Sequence, residues 1–358
     1  MQSIPPAGWS AHGFFGEKAK TFGNPGGATS GDGYFVPGKG STGTAWTNRG
    51  KPFGHPVFAM ASSIGSSGIT MAIDTTGQSW LSSDGGHTWA AAGQVFAGFN
   101  PGQQAGVLAN VSGQHWALTA VQNGVTPDNV FTTANNGTTW SAVASGIGSA
   151  GFLAMGSHQV GASGSLLAVA NVVPCTPTDY GVSGSGGSLW QRNGVTTIVG
   201  GDSQQLIGWD GTQWLVFSSN TAQTVGAVWT AANSGVTWTE NDMTNSTSLS
   251  CGIFLSGFYY AGDLRSQNLF TGASLAELLT SAPISSNLGA SPAIILRAGG
   301  GWFVFSTGQQ VSGSPDFVTW TPGTLNLTAG EGTVAACYDA IHTSAIAAGS
   351  GGSICTVP

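Results

Sequence analysis

Eleven aspartates and four glutamates are all the carboxylates this chain has. Hydrolysis of a glycosidic bond needs two of them facing one cleft, one as general acid. Asp179 and Asp263 are the pair that could meet in that way, although nothing in their spacing requires it. Asp74, Asp128, Asp179, Asp202, Asp210, Asp242, Asp263 and Asp339 mostly fall in turns, where an aspartate commonly accepts from its own backbone. His12, His55, His87, His115, His158 and His342 are scattered singly, without the His-x-x-x-His spacing or His/Asp cluster of a metal centre. Cys175, Cys251, Cys337 and Cys355 also lack metal-ligand spacing, and free, mostly buried thiols are expected. No Gly-x-x-x-x-Gly-Lys loop is there to cradle a phosphate, and Ser-x-Gly strings are too frequent to mark a nucleophile. No cofactor is implied.

The elements that position these groups are written in a repeat. Residues 82–89 read Ser-Ser-Asp-Gly-Gly-His-Thr-Trp, and clear relatives run Thr133 to Trp140 (TANNGTTW) and Ala231 to Trp238 (AANSGVTW). More decayed forms are Ser183 to Trp190, Ser41 to Trp46 and Ser314 to Trp320, the last one residue short. The tryptophans Trp46, Trp89, Trp140, Trp190, Trp238 and Trp320 fall 43, 51, 50, 48 and 82 residues apart. The last gap is about twice the repeat of roughly 40–50 residues expected of a four-stranded propeller blade. A worn copy from Leu269 to Leu278, with leucine in place of tryptophan, lies inside that gap and brings the count to seven. The chemistry of the octet is local. Ser82 and Asp84, or Asn135 and Asn233, offer side-chain oxygens to the turn, while Gly86, Gly137 and Gly235 supply positive φ. Thr88 and Trp89 then open the next strand, and the indoles of Trp89, Trp140, Trp190, Trp238 and Trp320 are expected between neighbouring sheets.

The pattern S-x-D-x-G-x-T-W resembles the Asp-box (BNR) hairpin of sialidase-like β-propellers, over most of residues 34–358. The resemblance implies an all-β fold, a seven-bladed β-propeller of four-stranded antiparallel blades. It also implies that each octet joins the third and fourth strands of a blade, on the rim opposite the usual binding face. Seven stretches suit the innermost strands: Val57 to Ala61, Gly106 to Val111, Gly151 to Met155, Thr197 to Gly201, Cys251 to Leu255, Ala293 to Arg297 and Val334 to Tyr338. Ile69, Met71 and Ile73 alternate with smaller or polar residues, whereas Trp214 to Phe217 and Trp302 to Phe305 are continuous apolar runs. Ser274 to Thr280 suits about two helical turns. Neither chain end holds a complete blade. The N-terminal Tyr34 to Val36 and the C-terminal Val334 to Val357 are therefore expected to share one, which removes an open sheet edge. Residues 1–33 carry no strand period and read as an extended arm, with Trp9, Phe14 and Phe15 as docking anchors.

Sialidases of the resembling family grip the substrate carboxylate with three arginines, beside a Tyr–Glu pair and an acid/base aspartate. Their early Arg-Ile-Pro signature is absent. Of Arg49, Arg192, Arg265 and Arg297, only the last falls on an expected innermost strand. Sialidase activity is not expected; a glycoside hydrolase of the Asp-box type stays as an alternative. Binding is the leading reading. In such propellers ligands usually meet the blade-to-blade connections and second-to-third-strand loops. The stretches that stand out are Arg49 to Pro56, Phe96 to Gln104 and Asn171 to Ser185. Their candidates for ligand or partner contact are Arg49, His55, Phe96, Phe99, Asp179 and Tyr180, with Asp263 and Arg265 beside them.

Charged residues make up 6% of the chain, against roughly 25% in ordinary globular proteins. Eight lysines and arginines without a cluster exclude nucleic acid and anionic lipid as partners. The start Met1-Gln2-Ser3-Ile4-Pro5-Pro6 lacks the basic and apolar segments of a signal peptide, and no run suits a membrane span. An uncharged Gly/Ser/Thr surface, that start and a candidate docking arm together point to a bacteriophage virion, as a tail or surface appendage. Its partners are then neighbouring virion subunits or a host-surface glycan. A secreted glycan-binding lectin is the alternative, and the oligomeric state is left open.

Overall fold

Short apolar runs cut by glycine-containing turns cannot make long helices, and they fold here into sheets. The computed structural model describes residues 45–63, 67–99, 107–112, 114–120, 129–143, 152–160, 163–170, 178–183, 191–196, 206–222, 224–232, 238–255, 257–298 and 301–357. The described strands form seven four-stranded antiparallel sheets. In chain order the first is Val57–Ser62, Thr70–Asp74, Gln78–Ser82 and Ala90–Gln94. The second is Val107–Ser112, His115–Ala120, Asn129–Thr133 and Ser141–Val143. The third is Phe152–Val160, Ser163–Ala170, Thr178–Ser183 and Gln191–Thr196. The fourth is Leu206–Trp209, Gln213–Ser219, Gly226–Ala232 and Trp238–Asp242. The fifth is Leu249–Leu255, Phe258–Asp263, Asn268–Gly272 and Ile284–Ser285, and the sixth Pro292–Ala298, Gly301–Ser306, Gln310–Ser314 and Thr321–Thr324. The seventh combines Thr333–Asp339, Ser344–Gly349 and Ile354–Val357 with Thr47–Asn48 from the other end of the chain.

The first strand of each sheet packs against the first strand of the next, and that of the seventh against that of the first. This is the arrangement of a β-propeller. Antiparallel pairing within each sheet puts the turns after the first and third strands at one end. The turns after the second strand and the sheet-to-sheet connections lie at the other, called here the connection end. No helix among the described residues is long and apolar enough to cross a membrane.

Six of the seven expected innermost strands coincide with first strands. The fourth does not: Thr197 to Gly201 lies outside the described residues, and Leu206–Trp209 is the first strand there. The tight turn at Asp210 and Gly211 (φ 98°) ties that strand directly to the apolar run after it. Thr70–Asp74 alternates in sequence yet is buried at all five positions, because neighbouring sheets cover both of its faces. Trp9, Phe14, Phe15, Tyr34 to Val36, Cys175, Trp190, Asn233 and Gly235 also lie outside the described residues.

In the seventh sheet Thr47 pairs with Thr356 and Asn48 with Cys355. Just before them Trp46, 2% exposed, stands edge-on to Phe303 and Phe305 of the sixth sheet at 5.6 and 5.5 Å. Asn326 donates to the Trp46 carbonyl at 2.8 Å, and Asn48 donates to the Asn326 carbonyl in return. So short a strand is held mainly by the indole and these cross-links.

Three octet turns carry one bonding pattern. In the first sheet Ser82 Oγ donates to Asp84 Oδ1 at 2.8 Å and accepts from Gly86 N at 2.8 Å. Asp84 Oδ1 also accepts from the amides of His87 and Thr88 at 3.0 and 2.9 Å. Thr133 with Asn135, and Ser314 with Asp316, repeat this hydroxyl-to-acceptor bond at 2.8 and 3.0 Å. Trp140 Nε1 reaches across to Ser79 Oγ of the first sheet at 2.8 Å, which joins two sheets. The worn copy in the fifth sheet is instead a helix, Leu275–Thr280, with Ser274 as its N-cap. Leu278 is fully buried where the indole would lie. Gly272 beneath it must lack a side chain, since a Cβ there would come within 2.3 Å of Leu278 N.

Candidate functional site

The aspartates at the sheet ends are occupied by their own turns. Asp263, at the end of a second strand, is fully buried. It accepts from Ser246 Oγ at 2.6 Å and from the amides of Thr247, Arg265 and Ser266 at 2.6, 2.8 and 2.7 Å. Burial raises its pKa, but these bonds outweigh burial and hold the carboxyl below its ordinary range. It anchors this turn. Asp74 holds the equivalent turn of the first sheet, accepting from Thr76 N, Gln78 N and Trp80 Nε1 at 2.8, 3.1 and 2.9 Å. Asp210 accepts from Tyr259 Oη of the next sheet at 2.7 Å and from its own turn. Burial and that carboxylate both push the Tyr259 hydroxyl upward.

The expected contact residues separate. Asp179 and Tyr180 belong to a strand, Thr178–Ser183, paired on both sides, and not to a long loop. The ladder continues through the aspartate because partner strands stand on either side of it. Asp179 is in the third sheet and Asp263 in the fifth. Phe96 and Phe99 are packing residues. Phe99 is 7% exposed, and Phe96 lies between Phe99 and Phe131 at 5.0 and 4.8 Å. Arg265 is exposed in a second-to-third-strand turn. Arg49 donates through Nε to Thr356 Oγ1 at 2.8 Å, and its Nη2 lies 3.4 Å from His87 Nε2. His55 is exposed, and its carbonyl abuts Gly352 in the turn of the seventh sheet, 2.4 Å from where a Cβ would stand.

That junction between the seventh and first sheets holds two residues that the sequence reading passed over. Lys51 lies in the Arg49 to Pro56 connection, and its Nζ is 2.6 Å from Glu331 Oε1. Glu331 comes from the connection between the sixth and seventh sheets. Its side chain is 6% exposed, against 43% for Lys51, and neither of its oxygens receives an aligned hydrogen bond. The only signal available in the sequence was scarcity: four glutamates in the chain, one of them set between Gly330 and Gly332.

Among the described residues at the other end, His342 and Asp339 stand together without a serine joined to them. His342 Nδ1 lies 2.8 Å from Asp339 Oδ2, but nearby Ser344 Oγ donates to the Gly85 carbonyl at 3.0 Å. Among the described residues no three of His, Cys, Asp and Glu gather to hold a metal ion. Cys251, Cys337 and Cys355 are free and buried, and burial pushes their thiols up to about 12, 12 and 11.

An aromatic cluster at the octet end also went unread. Tyr260, Trp302, Phe317 and Trp320 pack with ring centroids 4.2 to 5.2 Å apart. The Arg297 guanidinium lies 5.4 Å from the Trp302 ring. Phe317 takes the turn position with positive φ (63°) that glycine fills in the first two octets.

No family model and no curated protein matches the chain. Solved structures resemble it in fold. The structure titled "YCF48 bound to D1 peptide" aligns with a TM-score of 0.62 at 13% identity, covering 87% of this chain and 96% of that one. "YCF48 from Cyanidioschyzon merolae" gives 0.61 at 16%, covering 87% and 98%. The computationally designed Ika8 protein gives 0.54 at 8%, covering 86% and 98%.

Proposed function

We propose that the chain is a non-catalytic, seven-bladed propeller of the Asp-box kind that works by contact, as a virion appendage docked to neighbouring protein subunits. One observation carries the contact reading: Asp74, Asp84, Asp210, Asp263, Asp316 and Asp339 each accept hydrogen bonds from their own turns. A glycoside hydrolase needs one carboxyl free to give a proton and one free to attack or activate water. The blade count is supported by the seven sheets and the strand shared between the chain ends. The Asp-box kinship is supported by the three octet turns with one bonding pattern. A protein partner is favoured by a fold neighbour whose title records a bound peptide. The virion setting rests on the 6% charged composition and on the aromatic arm at residues 1–33.

The test is fractionation of the producing culture, with polysaccharide turnover and a glycan array run on the purified chain. The chain is expected to sediment with particles, release no reducing sugar and bind no glycan. Deletion of residues 1–33 is expected to leave its melting temperature unchanged and abolish particle association. A freely secreted chain that cleaves polysaccharide overturns the reading, and array binding transfers it to the lectin alternative.

A further inference from the structure

Glu331 differs from the buried aspartates in what surrounds it. Asp74 is ringed by donors from its own turn and the strand after it, and Asp263 by donors from its own turn and the preceding connection. Glu331, with a side chain only 6% exposed, has Lys51 Nζ beside Oε1 at 2.6 Å and no aligned hydrogen bond on either oxygen. A buried carboxylate so short of donors is costly to keep unless something else completes it.

Glycine backbone packs closely against it. Gly349, which ends the second strand of the seventh sheet, and Gly351, in the turn that follows, lie directly against the carboxylate. A Cβ on Gly349 would come within 2.2 Å of Oε2, and one on Gly351 within 2.3 Å of Oε1. Lys51 reaches in from solvent, its side chain 43% exposed. Its neighbours in the connection, Gly50 and Gly54, have open space where side chains would be.

We propose that Glu331 is the anchor for an arginine side chain of a protein partner, with Lys51 as a placeholder cation that the partner displaces. This rests on the contact reading above and names what the contact recognises. The choice of cation follows from the two carboxylate oxygens, of which Lys51 Nζ stands against Oε1 alone. A guanidinium presents two parallel N–H groups and can satisfy both at once, whereas an ammonium is a compact point charge. Guanidinium is also more weakly hydrated, so less is lost on entering a buried site. A divalent metal fits poorly, since it takes several oxygen ligands and no third acidic or imidazole group gathers at any described site. The net charge of −7 draws a basic partner toward the chain before contact.

The experiment removes the placeholder. Full-length Lys51→Ala, and Lys51→Met to retain the apolar stem, are titrated with methylguanidinium and with methylammonium by calorimetry. Binding of methylguanidinium is expected to be at least tenfold tighter than that of methylammonium, and absent when Glu331→Gln is added. Equal affinity for the two cations, or a response that survives Glu331→Gln, overturns the site. Failure here with particle association intact in Glu331→Gln removes the arginine site and leaves the contact reading standing. Loss of association in wild type under the culture test removes the contact reading itself.

Discussion

Most polar side chains that looked chemically promising are engaged in holding turns. For Asp210 and Asp263 burial pushes the pKa up, and hydrogen bonds from Tyr259 and the local backbone, or from Ser246 and the local backbone, reverse it. Asp84 behaves alike in its octet, and for Asp316 the bond from Thr319 N leads the lowering. All four therefore titrate lower in the native chain than unfolded, where an aspartate titrates near about 3.9. The sign follows from linkage. Their stabilisation is complete above that pH and is lost as pH falls through the native values. Thermal melting is expected to be level from neutral pH down to about pH 5 and to fall steeply below about pH 4. Asp263→Asn is expected to melt lower at neutral pH and to have a shallower acid limb. An acid limb identical to wild type would remove Asp263 from this account.

Two non-glycine residues with positive φ separate backbone strain from packing. Thr343 (φ 53°) is exposed in the turn between the first two strands of the seventh sheet, and Phe317 (φ 63°) is 2% exposed in the octet turn of the sixth. Left-handed backbone costs an ordinary residue roughly 1–2 kcal/mol. Thr343→Gly, which gives up little packing, is expected to raise stability in urea unfolding by about 1 kcal/mol. Phe317→Gly relieves the same strain but removes a buried ring worth roughly 3–5 kcal/mol, so a net loss of about 2 kcal/mol is expected. If both variants move stability in the same direction, strain and packing are wrongly apportioned here. The element scale also shows where the repeat was readable. The octets beginning at Ser82 and Thr133, with Asp or Asn and a glycine, form the expected turn, while the copy at Leu269 to Leu278 keeps only its buried leucine and makes a helix. The helix is what Ser274 to Thr280 suits by its own sequence, with Ser274 as N-cap and Glu277 in the first turn.

For the molecule as a whole, the seventh sheet is where the two chain ends meet. Only Thr47–Asn48 completes it, and Trp46 wedges that strand against the sixth sheet. Trp46→Ala is expected to cost roughly 3–5 kcal/mol and to expose the edge of Ile354–Val357. Differential scanning calorimetry with light scattering should register a lower melting temperature and earlier aggregation. A variant that melts as wild type would assign the closure to the asparagine cross-links instead. The same junction carries Lys51 and Glu331, the carboxylate that among the described residues is buried without an aligned hydrogen bond.

The sequence by itself determined the all-β class, the repeat, six of the seven first strands and the sharing of one sheet between the chain ends, although the strand that closes it is Thr47–Asn48 where Tyr34 to Val36 was expected. Each depends on local chemistry: an Asp or Asn beside glycine makes a turn, and apolar runs of strand length make buried strands. Only the tertiary structure decided which side chains have partners. Asp263 is saturated by amides brought from the preceding connection, Phe96 and Phe99 fold inward, and Asp179 is drawn into a ladder. Glu331 meets a lysine 280 positions away in the chain, at 2.6 Å. Pairings between residues so distant in the chain are set by how neighbouring sheets pack, and a single strand's pattern carries no record of them.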